Sequence, residues 1–216
     1  MSAEGVPLER GWIADDLAQE LPGLALHFAL VEASPGRSAA PVKRRLKTMS
    51  DRFTGGKAIN MRLEPIPWAY RVFFRQVGFD PDEHRTPIEQ IALDRMKWGG
   101  FRSRNSLDDA LLIATVETGV PVIAFDADRV DGEPGVRLSE PDELLGGSGR
   151  PLSARQLVIA DSALSLAVLF GDLFEDCGVQ GRTSRMLLVA PQVKGVPLIS
   201  VEEAVWTVGD LLRGTA

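Results

Sequence analysis

Three aspartates, Asp126, Asp128 and Asp131, precede Gly132 in the stretch AFDADRVDG. Carboxylates spaced like this before a glycine suggest a calcium loop. Such a loop needs oxygen ligands at its first, third and fifth positions, glycine at the sixth and a bidentate glutamate at the twelfth. Counted from Asp126, the fifth position is Val130, the sixth is Asp131 and the twelfth is Arg137, a cation where an anion is required. What remains is ordinary turn chemistry after an apolar strand. The other reactive residues are few. Cys177 is the single cysteine, so no internal disulfide forms, and His27 and His84 are the only histidines. Structural zinc takes four cysteine or histidine ligands, more than this chain offers. A Ser-His-Asp triad would have to use one of those two histidines, and no Gly-x-Ser-x-Gly elbow supports it. The glycine-rich GGSGRP, Gly146 to Pro151, runs into proline and a strand where a phosphate loop needs a helix, so it reads as a hairpin turn. The expectation is no metal and no cofactor.

The elements that must position any site come from a chain of 216 residues, 44% hydrophobic and 25% charged, the profile of a globular domain or of two lobes sharing a core. The longest apolar runs, such as VIAF and LAVLF, are too short to cross a bilayer, and LALHFALV lacks a basic flank and a small-residue cleavage site. A cytoplasmic protein with no membrane partner is therefore expected. Net charge is −6, yet residues 37–57 carry seven cations against Asp51 alone. Lys43, Arg44, Arg45 and Lys47 are the centre of that segment, which could be a phosphate-contacting patch or simply a solvated helix face.

Periodicity gives a short helix over 11–22, a strand over 24–32 and a basic helix over 40–53. The run 66–78 reads as a helix with Trp68, Val72, Phe73 and Gln76 on one face, closed by Gly78. Thr86-Pro87-Ile88-Glu89 is a capping box with proline at the first helical position, followed by Ile88, Ile91, Ala92 and Met96 at helical spacing. Ser106 is expected to cap the next helix, with Leu107, Ala110, Leu111 and Ala114 on one face and Gly119 at its end. From Pro121 the pattern changes to short apolar runs, PVIAF, GVRL, QLVIAD, SLAVLFG and RMLLVA, which read as strands. Ser200-Val201-Glu202-Glu203 reads as a capping box for a terminal helix. Helices early and strands late give an α+β fold.

Residues 85–190 resemble the editing module of the phenylalanyl-tRNA synthetase β subunit, the B3/B4 domain, and its free-standing relatives. The matching pieces occur in order: RTPIEQIALDRMKWGGFRSRNSLDDALL, ETGVPVIAFDADRVDG, GVRLSEPDELLGGSGRPLSARQLVIAD and LAVLFGDLFEDCGV. The resemblance implies a mixed sheet with flanking helices over 66–216. Residues 1–65 match loosely and are expected to form an N-terminal lobe, carrying the basic helix and packed on the main domain. In that family the module hydrolyses tyrosine wrongly attached to phenylalanine tRNA. It places a histidine before Ala-Phe-Asp, a Thr-Asn pair in the preceding helix, and a glutamate and a serine in a Glu-x-Ser turn.

Here those positions depart from the pattern. The histidine falls on Ile123, the Thr-Asn pair on Leu111 and Leu112, the glutamate on Glu175 and the serine on Cys177. A cleft lined this way is drier and cannot orient water as the family does. The expected pocket is Leu111, Leu112, Ile123 and Phe125. Glu175 and Cys177 are the remaining candidates for catalysis, Cys177 only if Arg182 or Arg185 stabilised its thiolate. Trp98, Phe101 and Trp206 are candidates for stacking on a terminal base or for plain core packing. Three readings follow: a tRNA-binding module, with or without ester cleavage; a pocket for an amino acid or similar small ligand; and a structural or partner-binding domain.

Overall fold

Short edge strands open the chain in the computed structural model, which describes residues 7–214. These are β1 (Glu9–Arg10) and β2 (Trp12–Ile13), followed by α1 (Asp15–Glu20) and the long strand β3 (Ala25–Glu32). Four helices come next, α2 (Ala40–Arg52), α3 (Gly55–Asn60), α4 (Pro65–Gln76) and α5 (Pro87–Trp98), and then α6 (Ser106–Thr118). The strands β4 (Ile123–Asp126), β5 (Gly135–Leu138), β6 (Leu157–Ala160), β7 (Ser165–Val168) and β8 (Arg185–Gln192) precede the terminal helix α7 (Leu198–Arg213). The α+β class follows directly. No helix among the described residues is long and apolar enough to cross a membrane.

The strands form two four-stranded sheets, ordered β1-β3-β8-β4 and β2-β5-β6-β7. In the first, β3 and β8 pair antiparallel from Ala25 opposite Gln192 to Glu32 opposite Arg185, and β4 adds Ile123 opposite Val189. Six consecutive residues of β8, Met186 to Pro191, are buried, which is why this strand reads as an unbroken apolar run. In the second sheet β2 runs parallel to β5, and the ring of Trp12 lies against Gly135 so closely that a Cβ there would meet it at 2.0 Å. Residues 7–65 thus supply strands to both sheets as well as the basic helix α2, which lies on α6.

Several helix details differ from the sequence expectations. The short helix expected over 11–22 is reduced to α1, because Trp12 and Ile13 join β5. In α4 the buried residues include Ala69, Tyr70, Phe73 and Phe74, whereas Trp68 and Val72 are exposed. Of the expected face only Phe73 is buried, because the helix is turned so that Tyr70, Phe73 and Phe74 gather around Phe170, while Trp68 lies under the Arg75 guanidinium at 5.5 Å. Arg71, also buried, is clamped between Glu89 and Asp82, joining α4 to α5. The Thr86–Glu89 capping box forms as read. Met96, expected on its inner face, is exposed. The cap of α6 is the Asn105 side chain, which accepts from Asp108 N at 2.8 Å, while Ser106 Oγ accepts from Gly36 N. Helix α7 starts at Leu198 without a side-chain cap, two residues before the expected box.

The aspartate-rich stretch is a strand end and a turn. Asp126 closes β4, accepts from Thr183 Oγ1 at 2.6 Å and caps Asp128 N at 3.1 Å. Asp128 pairs with Arg185 at 2.9 Å, and Asp131 accepts from Ser162 Oγ at 2.6 Å. Each carboxylate therefore has a local structural partner.

Candidate ligand-binding site

Two glycines in the left-handed region end the helices that flank a hollow in which a ligand could sit. Gly99 (φ 71°) stops α5 and Gly119 (φ 78°) stops α6, as left-handed C-caps do. The link between these helices crosses α2, where Ser50 Oγ accepts from Phe101 N at 2.9 Å. A hollow of about 670 Å³ lies between α5, this link, α6 and the start of β4. Leu111, Leu112 and Thr115 of α6 and Ile123 of β4 line it. The Thr115 hydroxyl donates to Leu111 O at 2.8 Å and so adds little polarity to that wall. Exposed Trp98 and Arg102 stand on the opposite side, the guanidinium 4.5 Å from the ring centroid. A site of this size, with an aliphatic wall and several charged groups around it, suits a small organic ligand or the end of a larger one.

The loop on the α6 side is held by one carboxylate. Asp109 is 1% exposed and accepts from Ser38 Oγ at 2.5 Å, Ser103 Oγ at 2.6 Å and Arg104 N at 2.9 Å. It sits in the first turn of α6, where the helix dipole favours an anion. Three donors satisfy it, so it acts as a fastener for residues 38 and 103–104. Phe170 closes another side of the hollow with φ 63°, a strained conformation for a bulky residue, and its ring packs on Tyr70, Phe73 and Phe74.

The structure brings together Leu111, Leu112 and Ile123 of the sequence-derived site. Phe125 is fully buried in the core and does not line the hollow. Glu175 is exposed, in a short 3-10 turn over 175–177, and lies outside the hollow. Cys177 is 2% exposed and its sulfur donates to Phe174 O at 3.1 Å. Burial pushes its thiol up to about 12, which holds it protonated and unreactive. Of the basic residues, Arg45 pairs with Glu117 at 2.5 Å and Lys47 with Asp51 at 2.7 Å, whereas Lys43 and Arg44 are exposed without an ion pair among the described residues. Trp98 and Phe101 line the hollow, and Trp206 lies on α7 away from it.

Sequence reasoning missed Asp109, Phe170 and Arg95 as parts of this site. Asp109 carries no sign in the sequence beyond its place in the first turn of α6, and only its burial shows that it fastens a loop. Phe170 carried one readable sign, the glycine that follows it in a turn.

The matches to known proteins fall on this part of the chain. The B3/4 domain family model matches residues 69–198, more than half of the sequence. The "Phenylalanine--tRNA ligase beta subunit" of Photorhabdus laumondii is 36% identical over 100 residues, covering 44% of this chain and 12% of the relative. The proteins of the same name from Vibrio vulnificus and Aliivibrio fischeri are 38% and 35% identical over the same shares. The matched segment is thus about an eighth of the length of these relatives.

Proposed function

Because the chain belongs to the B3/4 domain family, we propose that it is a tRNA-binding module which holds an aminoacyl end in its aliphatic hollow without cleaving the ester. The observation that carries this reading is the convergence of Leu111, Leu112 and Ile123 on one wall of a hollow whose rim bears Trp98 and Arg102. A side chain of an attached amino acid fits the aliphatic wall, a terminal base can stack on the tryptophan, and phosphates meet the arginines. The named relatives, which are phenylalanine–tRNA ligase subunits, support RNA as the partner class. Hydrolysis is left out for physical reasons. Ester cleavage needs a placed water and donors for the developing oxyanion. Here neither candidate for catalysis reaches the hollow: Glu175 lies outside it and Cys177 is buried and held as a thiol.

A filter-retention assay with tRNA over a salt series tests the reading. Retention falls steeply with added salt, and Arg102→Glu with Arg104→Glu weakens it at least tenfold. Neutralising Lys43 and Arg44 lowers the salt slope by about one or two units. Absence of retention at low salt removes RNA as the partner. A second reading, a free small ligand in the same hollow, is favoured by one observation: Arg45 and Lys47 are already paired with Glu117 and Asp51, which thins the basic face. In that case a thermal-shift screen of free amino acids gives positive shifts while tRNA is not retained.

A further inference from the structure

The charged groups around the hollow are not balanced in their commitments. Its three aspartates each accept from protein donors: Asp94 from Gln90 Nε2 at 3.0 Å, Asp108 from Asn105 Nδ2 at 3.0 Å, and Asp109 from three donors. Its three arginines, Arg95, Arg102 and Arg104, have no carboxylate partner within 4.0 Å among the described residues. Arg102 and Arg104 are exposed and water solvates them. Arg95 is different. It is half-buried on α5, its Nη2 donates to Ser50 O at 3.1 Å, and its Nε is buried with no acceptor among the described residues. The guanidinium thus has one neutral acceptor and no carboxylate, and since its buried Nε is closed to the hollow, an entering anion would pair with its terminal nitrogens.

We infer that Arg95 is the anion-binding group of the hollow, so that the ligand joins an apolar body, set against Leu111, Leu112 and Ile123, to a carboxylate or phosphate at Arg95. This rests on the hollow as the binding site, the premise of the function above, and adds the chemistry of the ligand. The two sources of such an anion differ. An ester-linked amino acid has no free carboxylate, so on tRNA the anion is a phosphate of the terminal nucleotides. A free amino acid or branched-chain acid brings its own carboxylate.

Titration calorimetry on the full chain separates them. The probes are 4-methylpentanoate, its neutral amide, leucine and 5′-AMP. Binding of 4-methylpentanoate at least tenfold tighter than its amide supports a carboxylate source. Binding of 5′-AMP, without the acids, supports a phosphate source. In either case Arg95→Gln weakens the binding anion at least tenfold and leaves the amide unchanged. The acid and amide comparison on the unaltered protein decides the matter even where Arg95→Gln does not fold. Equal binding of acid and amide with none of 5′-AMP overturns the inference, as does failure of every anionic probe at millimolar concentration, or an Arg95→Gln protein that binds anions as before. tRNA retention that is lost while the Arg95-dependent anion binds removes the RNA reading alone. Retention that persists while every anionic probe fails removes the Arg95 subsite alone.

Discussion

Replacing Asp109 by alanine is the sharpest structural test of how the hollow is held. The carboxylate is 1% exposed and accepts from Ser38 Oγ, Ser103 Oγ and Arg104 N at 2.5, 2.6 and 2.9 Å. A hydrogen bond to a charged group contributes about 1.5–3 kcal/mol. Ser103 and Arg104 are exposed, so their donors turn to water and recover most of that amount. Ser38 is 6% exposed and its hydroxyl is left without this acceptor. Adding about 0.3–1 kcal/mol for the lost anion at the start of α6, Asp109→Ala should destabilise by about 2–4 kcal/mol. Asp109→Asn keeps the shape and one good acceptor, and should lose about half as much. Urea unfolding followed by circular dichroism measures both. With a slope of about 2 kcal/mol per molar urea, the alanine midpoint moves down by roughly 1–2 M. An alanine variant within about 0.5 kcal/mol of the parent would refute the reasoning, because it would mean that the three hydrogen bonds carry no net stability.

Other expectations follow from single contacts. Glu143 is held down to about 2 from an ordinary 4.5 by its hydrogen bonds with Arg137, the shorter at 2.7 Å. A depressed carboxylate stabilises the fold above pH 4.5, and that part is lost as the pH falls through about 2. Discounted for solvent screening of a half-buried pair, Glu143→Gln should lose about 1–2 kcal/mol at pH 7, and the difference should shrink as pH approaches 2; thermal melts across that range read it. Cys177, raised to about 12 by burial, should resist a thiol-reactive dye at pH 8 in the folded protein and react fully in denaturant. Gly135→Ala should displace the Trp12 ring, which a Cβ would meet at 2.0 Å, shifting tryptophan emission and lowering the melting temperature.

Much of the fold was legible because local chemistry and tertiary position agree. The Thr86–Glu89 box, the glycine stop at Gly119 and the apolar runs of β4 to β8 all appear where the sequence places them. The turn at Asp126 to Asp131 was legible from its aspartates and Gly132, although its side-chain donors Thr183, Arg185 and Ser162 lie far along the chain. The failures occur where the partner lies far away in sequence. Which face of α4 is buried depends on Phe170, nearly a hundred residues later, and the aromatic residues of both faces have helical spacing. Residues 12–13 leave the expected helix because Gly135 admits the Trp12 ring. Within the site, Leu111, Leu112 and Ile123 could be placed together only through the family resemblance, while Glu175 and Phe125 carried the same support and lie elsewhere. Burial decides such cases, and a sequence gives burial only through its partners.

The most direct test is incubation with a panel of mischarged tRNAs, scoring retention and deacylation in the same samples. Binding without cleavage is the claim, so retention should depend on the aminoacyl group and weaken with salt, with ester loss no faster than in buffer. Accelerated deacylation that Glu175→Ala abolishes would contradict it, and so would retention that is blind to the attached amino acid.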